Sequence, residues 1–285
     1  MILSMSSQPS RRHFIGGGAA TLAASGVSMA PSMAAPGEAS RPIRLGIASY
    51  SYREFSRRAC INMTKQLTPL LTNKEFHALY RSTPDDLDRA KAEFQKAGII
   101  LTGGGTVYMQ KDDPEDVKSY FDYAKRLGLP MMNVGPTAKT LPIIEKFAKQ
   151  YDIKIAIHNH GPEDKHFPAP SDALKLIKDM DPRMGLCIDV GHTTRTGKDL
   201  IEEMRAAGPR MLDFHIKDLK NLMDRDSQCD VGDGAMPIKK IFAEMIRQNY
   251  QGVVHLEYEI NAFDPMPGMI KSFAYMRGVI DGMAG

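Results

Sequence analysis

The sequence contains no tryptophan and only three cysteines among its 285 residues. A module that merely binds sugars should show an aromatic platform, and the most effective ring for one is missing. Cys60, Cys187 and Cys229 are odd in number and share no short spacing. That excludes a disulfide framework and a zinc-finger pattern. Cys187 falls within an apolar run and reads as a small buried residue. An excess of one charge is also missing: 37 Lys+Arg face 34 Asp+Glu, a net charge of +3. A nucleic-acid partner usually needs a concentrated basic face, so none is expected. Beyond residue 40 no run is long and apolar enough to span a bilayer. No Gly-x-Gly-x-x-Gly follows the first strand, which weakens a dinucleotide-binding fold.

What is present is ordinary for a soluble globular chain: 42% hydrophobic and 25% charged residues, with length enough for a sizeable core. The N-terminus differs. "SRRHFIGGGAATLAASGVSMAPSMAAP" pairs Arg11 and Arg12 ahead of a weakly apolar run, with small residues at Ser32 and Ala34. This is the layout of an export signal with an A-x-A-like cleavage site, not of a helix in the fold. Ser-Arg-Arg-His-Phe-Ile resembles a twin-arginine signal, a receptor-read address. The expected organisation is an export signal over 1–34, a linker over 35–41 and one domain over 42–285. The expected location is periplasmic or extracellular. Removing two of the 37 basic residues against 34 acidic ones leaves the mature chain near neutral.

From residue 42 onward, short β-like runs alternate with longer amphipathic ones. Strands are expected over 44–51, 70–72, 99–102, 131–134, 153–158, 185–189, 211–216 and 253–258. Helices are expected over 84–97, 114–127, 139–150, 171–179, 199–207 and 237–248. Ser82-Thr83-Pro84-Asp85 and Asp113-Pro114-Glu115 are helix-start chemistry, and Gly98, Gly128 and Gly208 stand where helices should stop. About eight strand–helix alternations predict a (β/α)8 TIM barrel, with a doubly wound open sheet as the alternative. Gly103-Gly104-Gly105 is too plain a run to count as a phosphate loop.

Alternate side chains of a strand face opposite ways. In "KIAIHNH", Ile155 and Ile157 share one face, and Ala156, His158 and His160 the other. "GLCIDVGH" puts Cys187 and Asp189 on the small or polar face. "LDFHIKD" puts Asp213, His215 and Lys217 there, and "VVHLEYE" puts His255, Glu257 and Glu259 there. The bulky face should pack under helices, and the other should grow more polar toward the C-terminal mouth, where barrel active sites lie. Several buried ionisable groups at one place are costly if unpaired. A divalent cation removes that cost. His158, Asp189, His215 and Glu257 offer two nitrogens and two carboxylates, a set suited to Mn, Zn, Co or Fe more than to Mg or Ca. His255, deeper in its strand, is expected to be a hydrogen-bonded core residue.

These motifs are similar to those of the xylose isomerase-like TIM-barrel superfamily, the group labelled sugar phosphate isomerase/epimerase. The resemblance runs from about Ile43 to Ile280. It is carried by "LGIASYSYREF", "AIHNHGPEDKHFPAP", "GLCIDVGHTTRTGKD", "DFHIKDL" and "VVHLEYE". It implies that the family's metal ligands fall on Asp189, His215 and Glu257. The fourth, on the fifth strand, is commonly a Glu, and His158 stands in its place. In the family's epimerases and ketose isomerases, two metal-bound glutamates are thought to exchange protons with the substrate. A metal-bound imidazole cannot be such a base. The chain resembles instead the branch with inosose dehydratase-like and keto-glycoside-processing members.

The expected chemistry is proton abstraction next to a carbonyl of a sugar or keto-sugar. Return of the proton elsewhere gives isomerisation or epimerisation, and loss of a β-oxygen gives elimination. His160, Lys217, His192 and Glu259 are the candidate bases, acids and oxyanion contacts, with His160 or Lys217 as the single base of an elimination. Lys74, His77 and Tyr50 are weaker candidates for the mouth. A non-catalytic sugar-binding barrel is the competing class. Spare acid/base groups beside the cage favour the enzyme, since a binder would not need them. An exported enzyme would meet unphosphorylated or oxidised sugars or glycosides.

Overall fold

The computed structural model describes residues 41–73 and 77–283. The export signal, nearly all of the linker and Lys74 lie outside the described residues. In chain order the elements are β1 (Arg44–Ala48), α1 (Arg57–Leu67), β2 (Leu70–Asn73), α2 (Pro84–Lys96), β3 (Ile100–Val107), α3 (Pro114–Leu127) and β4 (Met131–Val134). Next come α4 (Leu141–Tyr151), β5 (Lys154–His158), α5 (Pro170–Ile177), β6 (Met184–Asp189), α6 (Val190–Arg195), α7 (Leu200–Ala207) and β7 (Met211–Ile216). A two-residue hairpin, β8 (Asp218–Leu219) with β9 (Gln228–Cys229), precedes α8 (Ile238–Arg247), β10 (Val253–Leu256) and α9 (Met266–Asp281).

β1 to β7 and β10 pair in parallel and close into a barrel in the order β1-β10-β7-β6-β5-β4-β3-β2. This is the expected (β/α)8 barrel, and closure excludes the open doubly wound sheet.

Local chemistry explains the helix ends. Thr83 accepts a hydrogen bond from the Asp86 amide, and Asp113 from that of Glu115, each with a proline opening the helix behind it. Ser56 and Asp199 cap α1 and α7 in the same way. Such caps satisfy otherwise orphaned N–H groups. Gly128 ends α3 at φ 79°, a left-handed turn that glycine adopts without steric cost.

The two strand faces separate as the alternation requires. Ile155, Ile157, Leu186, Ile188, Phe214, Ile216, Val254 and Leu256 are buried under the helices. Each such side chain contributes about 1.5–3 kcal/mol of burial. The inner face carries a polar layer midway along the barrel. His255 Nδ1 lies 2.7 Å from Asp213 Oδ1, and its Nε2 lies 2.7 Å from Thr102 Oγ1. Asn133 Nδ2 donates to Asp213 Oδ2 at 2.7 Å. His255 is thus the hydrogen-bonded core residue the sequence predicts. Gly46 on β1 makes room for it: a Cβ there would lie 2.6 Å from His255 Cδ2.

Several expectations need correction. β1 stops at Ala48, and a 3-10 turn takes Ser49–Tyr52. β3 runs on through Gly103-Gly104-Gly105, because strand pairing to β2 and β4 holds a stretch with no side chains to advertise it. Helices α1 and α9 and the β8/β9 hairpin fall where the sequence reading placed no element. His192 lies in helix α6, another element that the sequence reading did not place.

Candidate metal centre

Four strand ends build the cage, and one of them, Asp189, is also a helix start. β5 ends on His158, β6 on Asp189, and His215 sits one residue before the end of β7. Glu257 follows β10 directly. All four side chains are buried, and one donor atom from each lies within 4.8 Å of the others. His158 Nε2 is 2.9 Å from His215 Nδ1, and that nitrogen is 3.3 Å from Glu257 Oε2. His158 Nε2 stands 3.8 Å from Asp189 Oδ2.

Donors held 2.0–2.2 Å from one cation lie about 2.8–3.6 Å apart when adjacent and up to about 4.4 Å when opposite. These separations fall in that range. Two buried polar atoms here, His158 Nδ1 and Asp189 Oδ2, make no hydrogen bond. Buried polar atoms without partners are uncommon in native folds. Donor type and spacing therefore fit a borderline divalent cation, and Asp189 Oδ2, with the Lys217 ammonium at 3.0 Å but no hydrogen bond, has acceptor capacity to spare for it.

Asp189 does two jobs. Its Oδ1 accepts the His192 amide at 2.8 Å and so caps α6. This fixes the rotamer and aims Oδ2 into the cage. Lys217 reaches the same place from beyond β7. Its Nζ lies 3.0 Å from Asp189 Oδ2, 3.0 Å from Glu257 Oε2 and 2.6 Å from Glu259 Oε2. Burial alone would lower the Lys217 pKa, but Asp189, Glu259 and Glu257 outweigh it and hold the ammonium well above its ordinary range. Burial alone would raise Asp189, yet His192 and Lys217 outweigh it and hold the carboxyl below its usual range. Burial pushes His158 well below the ordinary imidazole value, which keeps the ring neutral and leaves one nitrogen's lone pair free for a metal.

Above the cage opens a cavity of about 580 Å³. His158, His160, His192, Glu257 and Glu259 line it, as does Tyr50. His160 Nδ1 faces Asp164 Oδ2 at 3.4 Å and its Nε2 faces the Tyr108 hydroxyl at 3.3 Å. Burial lowers His192 to about 4. Its Nδ1 lies 2.8 Å from Arg195 Nη2. Three carboxylates within 3.0 Å hold the Lys217 ammonium charged in this structure, which favours His160 of the two bases the sequence reading allowed for. His77 is not among the residues lining the cavity: it is buried, with Nδ1 3.1 Å from Ser49 Oγ.

Tyr108, Glu163, Asp164 and Arg195 also line the cavity, and sequence reasoning missed them. Tyr108 closes a glycine-rich strand that carries no alternation. Arg195 stands three residues after His192, a helical spacing visible only once α6 is recognised.

Comparisons with known proteins agree with the barrel fold. A curated inosose dehydratase of Lactiplantibacillus plantarum is 24% identical over 205 residues, covering 61% of this chain and 64% of that protein. The match thus spans less than two thirds of that relative. The crystal structure of the 3-keto-D-glucoside 4-epimerase YcjR from E. coli superposes with a TM-score of 0.70 at 15% identity, covering 83% of this chain and 99% of that one. The IOLI protein, solved with a bound zinc atom, gives 0.68 at 17% identity over 81% and 97% of the two chains. The sequence pattern of the xylose isomerase-like TIM barrel family matches residues 70–279, and the chain, a closed barrel throughout that stretch, belongs to that family.

Proposed function

We propose that this chain is a divalent-metal-dependent enzyme that removes the proton α to a carbonyl of a sugar or keto-sugar, of the isomerase/epimerase type. One observation carries the reading. A donor cage fit for Mn, Zn, Co or Fe opens into the same cavity as a second set of groups able to move protons, the His160–Asp164 pair and Glu259. A barrel that only bound sugar would have no use for the second set. The zinc atom in the IOLI protein supports the metal, and the epimerase and dehydratase relatives support the substrate class.

His158, Asp189, His215 and Glu257 would hold the cation, which when bound supplies Lewis acidity toward a carbonyl oxygen. The chain's own groups then divide the remaining work. Asp164 accepts from His160 Nδ1, so the His160 lone pair at Nε2 faces the cavity as the base. Lys217 neutralises Glu257 and Glu259 and keeps Glu259 turned toward the cavity mouth. The substrate hydroxyls would bond to Tyr108 and Glu259 on the cavity wall.

His158 favours a second reading. It replaces a carboxylate with a neutral ligand, so the cage has one fewer base and donates less charge to the metal. Loss of a β-oxygen then becomes the easier exit, giving a lyase or dehydratase on an inosose or 3-keto-glycoside. Incubation in D2O with aldoses, ketoses, inososes and 3-keto-glycosides decides. A sugar product that carries only solvent deuterium supports isomerisation or epimerisation. An unsaturated ketone or a released aglycone supports elimination. Neither a deuterated sugar nor an unsaturated ketone or released aglycone from any of them would refute both. From the paired arginines at its N-terminus we infer that the enzyme is exported and meets its substrate outside the cytoplasm.

A further inference from the structure

The most constrained side chain of the cavity is His192, and the constraint comes from behind it. A guanidinium can only donate hydrogen bonds and does not lose its proton in proteins. Arg195 Nη2 lies 2.8 Å from His192 Nδ1. Nδ1 must therefore be the accepting nitrogen, and the ring hydrogen must sit on Nε2. That N–H belongs to the face of the ring beside the cage, 4.0 Å from Asp189 Oδ2.

Arg195 is itself firmly placed. Only 5% of it is exposed, and it donates to both Glu163 oxygens, at 2.5 and 2.8 Å. Paired, two-pronged contacts of this kind fix orientation as well as charge. Gly161, at φ +81°, is the third part of the device. A Cβ at that position would lie 2.7 Å from Arg195 Nη2, so only glycine leaves the guanidinium its seat.

We infer that Arg195, held by Glu163 and seated over Gly161, is a positioning residue that fixes His192 as the Nε2–H tautomer, making His192 a neutral hydrogen-bond donor to a substrate oxygen and not a base. A nitrogen that already carries its hydrogen has no lone pair with which to take a second. The assignment narrows the sequence reading, in which His192 could have been base, acid or oxyanion contact. The tautomer stands on donor chemistry alone. The substrate oxygen rests on the reaction proposed above.

Nitrogen-15 NMR tests the lock without turnover. In metal-free protein labelled at histidine, near pH 7, long-range proton–nitrogen correlations report the state of each ring nitrogen, and His192→Gln identifies the signals. The expected pattern is a bare, accepting Nδ1 and a protonated Nε2, replaced in Arg195→Met by a mixture of the two tautomers. A protonated Nδ1 in the wild type, or an unchanged pattern in Arg195→Met, overturns the lock. If Arg195→Met does not fold, the wild-type spectrum alone decides. The role is tested separately on whichever sugar the deuterium assay identifies. Loss of one such donor slows turnover roughly 10²–10³-fold. His192→Ala should show that loss, and His192→Gln, which keeps an N–H, should recover a measurable part of it. Equal loss in both refutes the donor role. Absence of any turnover by wild-type protein counts against the reaction class and leaves the NMR result standing.

Discussion

Replacing Lys217 by Met removes the only ammonium that touches the cage among the described residues. Three carboxylate oxygens, of Asp189, Glu257 and Glu259, lie within 3.0 Å of its Nζ. Two of the three residues are buried, Asp189 fully and Glu257 at 4% exposure. Removing one partner of a buried ion pair and leaving the other costs about 3–5 kcal/mol. With a melting shift of roughly 2–4 °C per kcal/mol for a large domain, the expected loss is roughly 6–20 °C in a chelator. A divalent cation should return much of it, because the same oxygens then have a new counter-charge. Binding at 100 times Kd contributes about 2.7 kcal/mol by mass action. The metal should therefore raise the melting temperature of Lys217→Met more than that of the wild type, and bind the variant more tightly. Circular dichroism melts in EDTA and in Mn²⁺, Co²⁺ or Zn²⁺ give both numbers. If the variant melts within about 1 °C of wild type in chelator, Lys217 is not the counter-ion of the cage. If the metal raises both proteins equally, ammonium and metal do not share those oxygens.

Other outcomes follow from the same geometry. Purified protein grown with supplemented metals should hold about one transition-metal ion per chain by elemental analysis, and Asp189→Asn or Glu257→Gln should lose it and any turnover while keeping the barrel's circular dichroism. His77, buried and lowered to about 4, should make stability pH-dependent. Its folded value lies below the unfolded one, so its contribution is complete above about pH 6.5 and declines as pH falls toward 4, by up to on the order of 3 kcal/mol. A His77→Gln variant should flatten that part of the melting-temperature profile, and an unchanged slope would refute the assignment. Arg11→Lys with Arg12→Lys should leave the protein in the cytoplasm on cell fractionation, and normal export would mean another route.

The inner face of four strands was legible because period-2 alternation survives wherever one face is bulky. Ile155 and Ile157 against His158 give the sense of the strand, and the same rule brings Asp189, His215 and Glu257 to one mouth. The pattern failed where side chains carry no contrast. Gly103-Gly104-Gly105 could not announce that β3 continues to Tyr108's neighbour, Val107, so the tyrosine on the cavity wall went unseen. Helix α6 spans only six residues, too few for a 3.6-residue period to show. It is recognisable only from its cap, Asp189, a residue already read as something else. Lys217 illustrates a different limit: sequence places it on the inner face, but only the distances to three carboxylates reveal that it is a cation among anions and not a base.

The two oxygens of Asp189 have a consequence for how the protein could be watched. One oxygen terminates a helix and the other faces the cage, so cage and helix start share a single rigid lever about one carboxylate wide. A cation drawing on Oδ2 must act against the grip of the His192 amide on Oδ1. Occupancy of the cage should then be written into the opening rate of the first turn of α6, which is readable by hydrogen exchange at that one amide. The amide serves as a gauge for the ion.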